Sequence, residues 1–188
     1  MKVKVRSVVY AVLIVAVLLW IGMIFYFSSS LPQESERQAR FVYRALKKID
    51  SIVDFSNTRW FISLETKLKR WWFKTEYVPT EMLLRKSAHF GLYFGLGFLT
   101  TLVLFYALKE THKLKRVIFS ALSGVSIPTV TAVLDEYNQL FYNRGSSLND
   151  VIIDMTGAGF GTIVALLIVC LMKAFSRTKR ILGRKQNV

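Results

Sequence analysis

Four blocks of apolar residues, each about as long as a bilayer-crossing helix, constrain this chain more than any other feature of its sequence. They comprise residues 8–27, 89–108, 117–134 and 151–172. An α-helix needs ~20 mostly apolar residues to cross the hydrocarbon core of a membrane. The sequence therefore predicts an all-α membrane protein, a polytopic bundle of four transmembrane helices.

The first apolar block has the basic start of a secretory signal peptide but differs from one in two respects. Its apolar stretch is longer than the ~7–15 residues usual for the core of a signal peptide, and no A-x-A cleavage site follows it. We expect it to remain in the protein as an anchor. With 188 residues, the chain is expected to form a single domain.

Basic residues flank the apolar blocks and give the chain a formal charge of +14. Contact with anionic lipids explains this charge better than nucleic acid, for which the sequence has no recognition motif. The segment before residue 8, the loop 109–116 and the tail 173–188 are basic, whereas the segment 135–150 is mainly acidic. Basic short loops favour the cytoplasm, so we expect both termini inside and residues 28–86 outside.

The long outer loop is expected to contain two amphipathic helices, at residues 34–50 and 58–74. In the second, large apolar residues recur near helical spacing: Trp60, Leu64, Leu68, Trp71 and Trp72. Tryptophan together with basic residues suits the headgroup region of a bilayer. Packing of the same face against the end of the bundle is the other interpretation, and the sequence does not separate the two.

Topology places the start of the second span, the end of the third and the start of the fourth on one side of the bilayer. This holds whichever way the chain is inserted. Ionisable groups in a bilayer are costly and find partners inside the bundle. We therefore predict one outward-facing polar pocket, in which Lys86 and Arg144 pair with carboxylates. Its residues are Lys86, His89, Tyr93, Asp135, Glu136, Gln139, Arg144, Asp150 and Asp154.

Two G-x-x-x-G pairs predict close helix packing and favour contact between the second and fourth spans. Gly91 and Gly95 form one pair, and Gly157 and Gly161 form the other. Small residues at this spacing let transmembrane helices approach each other closely. The second pair continues the stripe of Asp154, so one helix face combines a charge with a close contact.

Several of these residues also have a purely structural explanation. Asp150 lies three residues after Ser147 and suits the cap of the fourth span. Lys86 suits an interfacial anchor. Asp154 lies about a turn inside an apolar stretch, where a carboxylate needs a partner or a proton. The single cysteine, Cys170, is expected to be a small buried side chain.

Together these residues resemble the VanZ-like family. The resemblance is carried by RKSAHF at 85–90 with Tyr93, by DEYNQLF at 135–141, and by RGSS at 144–147 with Asp150, Asp154 and Gly157. It covers residues 85–169, and residues 28–33 are similar to the segment after the family's first helix. It implies a multi-pass protein of the bacterial cell membrane, in a family linked to resistance to the glycopeptide antibiotic teicoplanin. It implies no established reaction.

Three functions remain open. The first is binding or handling of a lipid-linked or peptidoglycan-related ligand of the cell envelope, with a contribution to glycopeptide resistance. The second is an enzyme acting on an envelope lipid or peptide, with His89 and the carboxylates as acid, base or metal ligands. The third is a small oligomeric transporter or flippase. An ionic cluster that only holds three helices together is the structural alternative.

The sequence contains no established catalytic motif, such as H-E-x-x-H, and identifies no catalytic residue. One histidine with several carboxylates suits a hard or borderline metal, but we predict neither a metal nor a cofactor. The expected partners are anionic lipids of the bilayer and an envelope ligand, without nucleic acid. A homo-oligomer stays open.

Overall fold

The computed structural model describes residues 2–109, 111–142 and 145–185, with side chains for residues 7–109, 111–142 and 145–175. This part of the chain is all-helical and contains no β-strand, which confirms the predicted all-α class. Its six helices are α1 (Lys2–Ser28), α2 (Pro32–Val53), α3 (Arg59–Phe73), α4 (Thr80–Ala107), α5 (Lys113–Leu140) and α6 (Leu148–Lys185).

Four of these helices are long and apolar enough to cross a membrane, as the sequence predicts. The qualifying segments are Ser7–Ser28, Thr80–Ala107, Lys113–Leu140 and Leu148–Phe175. The last three extend past the apolar blocks, because polar residues at the membrane edge continue the helices. As a result, several charged residues predicted near the membrane edge lie on helices and not in loops.

α4 and α6 pack closely along a face that only glycine permits. A Cβ atom added at Gly157 would overlap the backbone oxygen of Phe90, and one added at Gly161 would overlap that of Phe94. The other pair differs. Gly95 faces the indole ring of Trp20 on α1, and a Cβ at Gly91 would meet no atom within 4 Å.

α4, α5 and α6 cross at a second position, deeper in the bundle. The hydroxyl of Thr101 donates to the backbone oxygen of Gly97 at 2.7 Å and lies 3.1 Å from the Thr162 hydroxyl, from which it can accept a hydrogen bond. A Cβ at Gly124 of α5 would overlap both hydroxyls. Glycine is therefore needed at this crossing as well, because β-branched threonine side chains have little freedom to move aside.

α1 and α3 attach to this three-helix core by different contacts. The indole nitrogen of Trp20 on α1 donates to the backbone oxygen of Leu92 at 2.8 Å. At the end of α3, Trp72 is buried against Leu83 of α4 and Ile153 of α6. Because Trp72 packs on the bundle, the C-terminal end of α3 lies over the start of α4 and α6.

Most apolar side chains of the spans face outward. In α1, only 6% of the most apolar stretch of the helix is buried inside the protein. Cys170 is also exposed, so the expectation of a buried cysteine is wrong. An apolar residue of a membrane helix can lie against lipid, and burial within the protein is then unnecessary.

Candidate functional site

The start of α4, the end of α5 and the start of α6 meet at one end of the bundle. Their meeting brings together eight of the nine residues predicted for the polar pocket. Arg144, the ninth, lies outside the residues that the structure describes. The eight are Lys86, His89, Tyr93, Asp135, Glu136, Gln139, Asp150 and Asp154.

The inner part of this site consists of two buried carboxylates near the same nitrogen of a histidine. Asp135 and Asp154 are 1% and 0% exposed. The hydroxyl of Tyr93 donates to Asp135 Oδ2 at 3.2 Å. His89 Nδ1 lies 3.9 Å from Asp135 Oδ2 and 3.8 Å from Asp154 Oδ2. Four side chains from three helices thus surround one point.

The buried carboxylates accept few hydrogen bonds. Within the described part of the chain, neither carboxylate oxygen of Asp154 has a hydrogen-bond partner, and Asp135 Oδ1 has none either. A buried ionised carboxylate is strongly disfavoured unless it is paired. This arrangement therefore calls for a cation or a proton at the carboxylates.

The outer part of the site is an ion pair between α4 and α6. Lys86 Nζ lies 2.6 Å from Asp150 Oδ1. The cap of α6 is supplied by Ser147, whose hydroxyl accepts a hydrogen bond from the Asn149 backbone nitrogen at 3.1 Å. Since Ser147 caps the helix, the carboxylate of Asp150 is available to Lys86.

Glu136 joins the end of α5 to the segment before α6. Its Oε2 accepts a hydrogen bond from the backbone nitrogen of Ser147 at 2.9 Å, and its Oε1 accepts one from Gln139 Nε2 at 3.4 Å. Both Glu136 and Gln139 are buried. Glu136 therefore has a structural role in addition to facing the pocket.

The residues predicted for the site do not include those that hold α1 and α3 at this end. Asn138 donates to the hydroxyls of Ser28 and Ser29, both at 3.2 Å. Asn149 donates to the backbone oxygen of Trp72 at 2.8 Å. The sequence signal for these contacts is the polar run that begins at Ser28, directly after the first apolar block.

A pocket of about 350 Å³ opens beside the ion pair. Its wall contains charged and amide groups of the three helix ends, together with the apolar side chains of Phe73 and Ile153. Asp135 does not line the pocket, but it lies 3.9 Å from His89 of the wall and accepts the hydrogen bond of the Tyr93 hydroxyl. The polar wall residues are Arg85, Lys86, His89, Glu136, Gln139, Asp150 and Asp154.

A larger groove of about 1040 Å³ lies between α1, α2 and α4. Among the described residues, its lining combines aromatic and aliphatic side chains with Arg37, Arg44 and Arg85 and with one carboxylate, that of Glu34. Arg85 and His89 line both the groove and the pocket. The two spaces are therefore neighbours on either side of one turn of α4.

Comparison with known proteins identifies one family. A family model described as VanZ/LLP1 matches residues 13–170, which is most of the chain. No curated protein and no solved structure matches the chain. The matched residues include all three helix ends that form the site.

Proposed function

The chain belongs to the VanZ/LLP1 family, and on that premise we propose that this membrane protein binds a lipid-linked, phosphate-bearing ligand of the bacterial cell envelope. The groove takes the hydrocarbon chain, and the pocket takes the polar head. The observation that carries the proposal is the sharing of Arg85 and His89 by the two spaces.

The groove has the chemistry that an anionic lipid requires. Aromatic and aliphatic side chains, including Trp20, Phe41 and Leu92, offer apolar surface to a hydrocarbon chain. In the part of the lining that the structure describes, three arginines outnumber one carboxylate. The guanidinium group of arginine binds phosphate with two parallel hydrogen bonds. Arg85 stands where the groove meets the pocket, so it is the proposed phosphate contact.

The pocket has the chemistry of a polar head beyond the phosphate. Carboxylates and the amide of Gln139 accept hydrogen bonds from hydroxyl and amide groups, such as those of a sugar or a peptide. Its volume of about 350 Å³ is at the small end of the range for small-molecule sites. We therefore expect one sugar or a short peptide to enter it.

The first test of this proposal is lipid retention by the purified protein. Native mass spectrometry would compare a polyprenyl monophosphate with the matching polyprenol, which lacks the phosphate. We expect the phosphate lipid to bind at least tenfold more tightly, because charge-assisted hydrogen bonds contribute about 1.5–3 kcal/mol. Arg85→Gln should remove most of that preference.

Arg59→Gln is the matched control for this experiment. Arg59 is exposed at the start of α3 and lines neither the groove nor the pocket, and its substitution removes the same charge. Phosphatidylglycerol serves as a diacyl anionic competitor. Equal retention of polyprenol and polyprenyl phosphate, or equal losses in the two arginine variants, would contradict the proposal.

A contribution to teicoplanin resistance is the second part of the proposed function. If the bound ligand belongs to cell-wall synthesis, expression in a susceptible strain should raise the inhibitory concentration of teicoplanin. Asp135→Asn should abolish the increase while protein levels in the membrane stay normal, because Asp135 supports His89 in the pocket wall. An unchanged increase in Asp135→Asn would separate resistance from this pocket.

We further propose that the pocket faces the outside of the cell and that both termini lie in the cytoplasm. The opposite end of the bundle is basic, with Arg116 at 2.5 Å from the backbone oxygen of Phe105 and Lys173 beside the Phe105 ring. Basic residues favour the cytoplasmic face. On this orientation the exposed Trp60 and Trp71 of α3 contact the outer headgroup region.

Cysteine labelling of intact cells tests this orientation. In a Cys170→Ser background, Tyr77→Cys places a thiol at a side-chain position that is 97% exposed, between α3 and α4. His112→Cys places one at the opposite end, immediately before α5. A membrane-impermeant maleimide should label the first and not the second. The reverse result would overturn the proposed orientation.

A further inference from the structure

We propose that His89, Asp135 and Asp154 bind a divalent metal ion at the inner wall of the pocket. The three side chains belong to α4, α5 and α6, and each offers one ligand atom, all within 4.8 Å of one another. This inference goes beyond lipid binding and does not depend on it, since the site consists only of residues of the chain.

The separations from His89 suit two ligands of one ion. Two ligand atoms that each lie ~2.1 Å from an ion are ~3.0 Å apart at a right angle and ~4.2 Å apart in line. His89 Nδ1 lies 3.8 Å from Asp154 Oδ2 and 3.9 Å from Asp135 Oδ2, which is within that range. Both distances exceed the ~3.2 Å limit of an N–H···O hydrogen bond.

Burial distinguishes this cluster from a group of surface acids. Asp154 is 0% exposed, and within the described residues its two carboxylate oxygens accept no hydrogen bond. Asp135 is 1% exposed, and within the described residues its Oδ1 also accepts no hydrogen bond. A bound cation would supply the partner that these buried oxygens otherwise lack.

The charges around the site also favour a bound cation. Among the described residues at this end, four carboxylates face two permanent cations. The described part of the site is therefore acidic, which favours binding of a cation. The carboxylates are those of Asp135, Glu136, Asp150 and Asp154, and the cations are Arg85 and Lys86.

Tyr93 acts as a positioning residue for the proposed ion. Its hydroxyl donates to Asp135 Oδ2 at 3.2 Å, and it is itself 0% exposed. Hydrogen bonds to metal-binding carboxylates fix their orientation and raise metal affinity. Two carboxylates and one imidazole suit Mn²⁺, Fe²⁺ or Zn²⁺. Because His89 and Asp154 line the pocket, the remaining coordination positions would be open to a ligand in it.

Metal binding by the purified chain tests this proposal directly. After treatment with a chelator, detergent-purified protein would be dialysed against Zn²⁺ or Mn²⁺ and analysed for metal content. We expect one ion per chain and a higher melting temperature with metal. Asp154→Asn and His89→Gln should each weaken binding by at least tenfold, and Tyr93→Phe by about tenfold.

His112→Gln is the matched control, because His112 is the other of the two histidines and lies at the opposite end of the bundle. It should bind metal as the unaltered chain does. Each variant must elute as one species without metal, and Asp154→Asn is chosen because it preserves side-chain shape. The proposal is overturned if the folded chain binds no ion, or if Asp154→Asn and His89→Gln retain full affinity. Equal losses in His112→Gln would also overturn it.

Discussion

Gly161→Leu is expected to leave little folded protein in the membrane. A Cβ atom at this position would overlap the backbone oxygen of Phe94 and lie 2.9 Å from the backbone nitrogen of Phe98. Backbone atoms of a packed helix cannot move aside as the end of a flexible side chain can. We expect a loss of more than ~3 kcal/mol in the free energy of unfolding, above the usual range for overpacked cores.

Gly159→Leu provides the matched control on the same helix. A Cβ at Gly159 would meet no atom within 4 Å, so the same substitution should be tolerated two residues away. Fluorescence-detected size-exclusion chromatography after a series of heating steps would compare the two variants. If Gly161→Leu and Gly159→Leu show equal yield and equal melting temperature, close packing of α4 on α6 cannot be what holds the bundle together.

The glycines also show what a sequence pattern can predict. Gly91 with Gly95 and Gly157 with Gly161 have the same spacing, yet only the second pair packs directly on a neighbouring helix backbone. Spacing predicts that two residues share a helix face. Which way that face points depends on contacts elsewhere, here on Trp20 of α1 next to Gly95. The rotation of each helix about its own axis could therefore not be predicted from the sequence.

The polar site was predictable in its location and less so in its pairing. Counting membrane crossings places three helix ends on one side, and the structure brings those ends together. The individual partners depend on helix rotation and register, which the sequence does not fix. In the structure, Lys86 forms its ion pair with Asp150, and the hydroxyl of Tyr93 donates its hydrogen bond to Asp135.

The groove could not be predicted, because it depends on where a helix of the long loop lies. α2 contains no buried residue, so its sequence gives no strong signal for its position. Arg37 and Arg44 of α2 line the groove only because α2 lies beside α1 and α4. Sequence analysis therefore did not single out Arg37 and Arg44.

Reversing the charge of Lys86 is expected to have the second large effect. Lys86→Glu removes the ion pair with Asp150, whose atoms are 2.6 Å apart, and adds a fifth carboxylate to the four that the structure describes at this end. Breaking a fully buried pair costs about 3–5 kcal/mol. The two side chains are 19% and 29% exposed, so solvent screening reduces our expectation to roughly 2–3 kcal/mol.

The double variant Lys86→Glu with Asp150→Lys decides whether the pair itself is responsible. Exchange of the charges restores an ion pair between α4 and α6, but it places a cation in the first turn of α6. That position favours anions because of the helix dipole. We therefore expect about half of the lost stability to return, measured as the melting temperature of the purified protein. No recovery would show that Lys86 acts through the other carboxylates.

The pair of Lys69 and Glu65 on α3 is a control with closely similar exposure. Its atoms are 2.8 Å apart and its side chains are 16% and 25% exposed, but both belong to one helix. Pairs four residues apart on a helix contribute only about 0.2–0.5 kcal/mol. Lys69→Glu should therefore lower the melting temperature far less than Lys86→Glu. Similar losses in the two variants would mean that added negative charge, and not the link between α4 and α6, determines stability at this end.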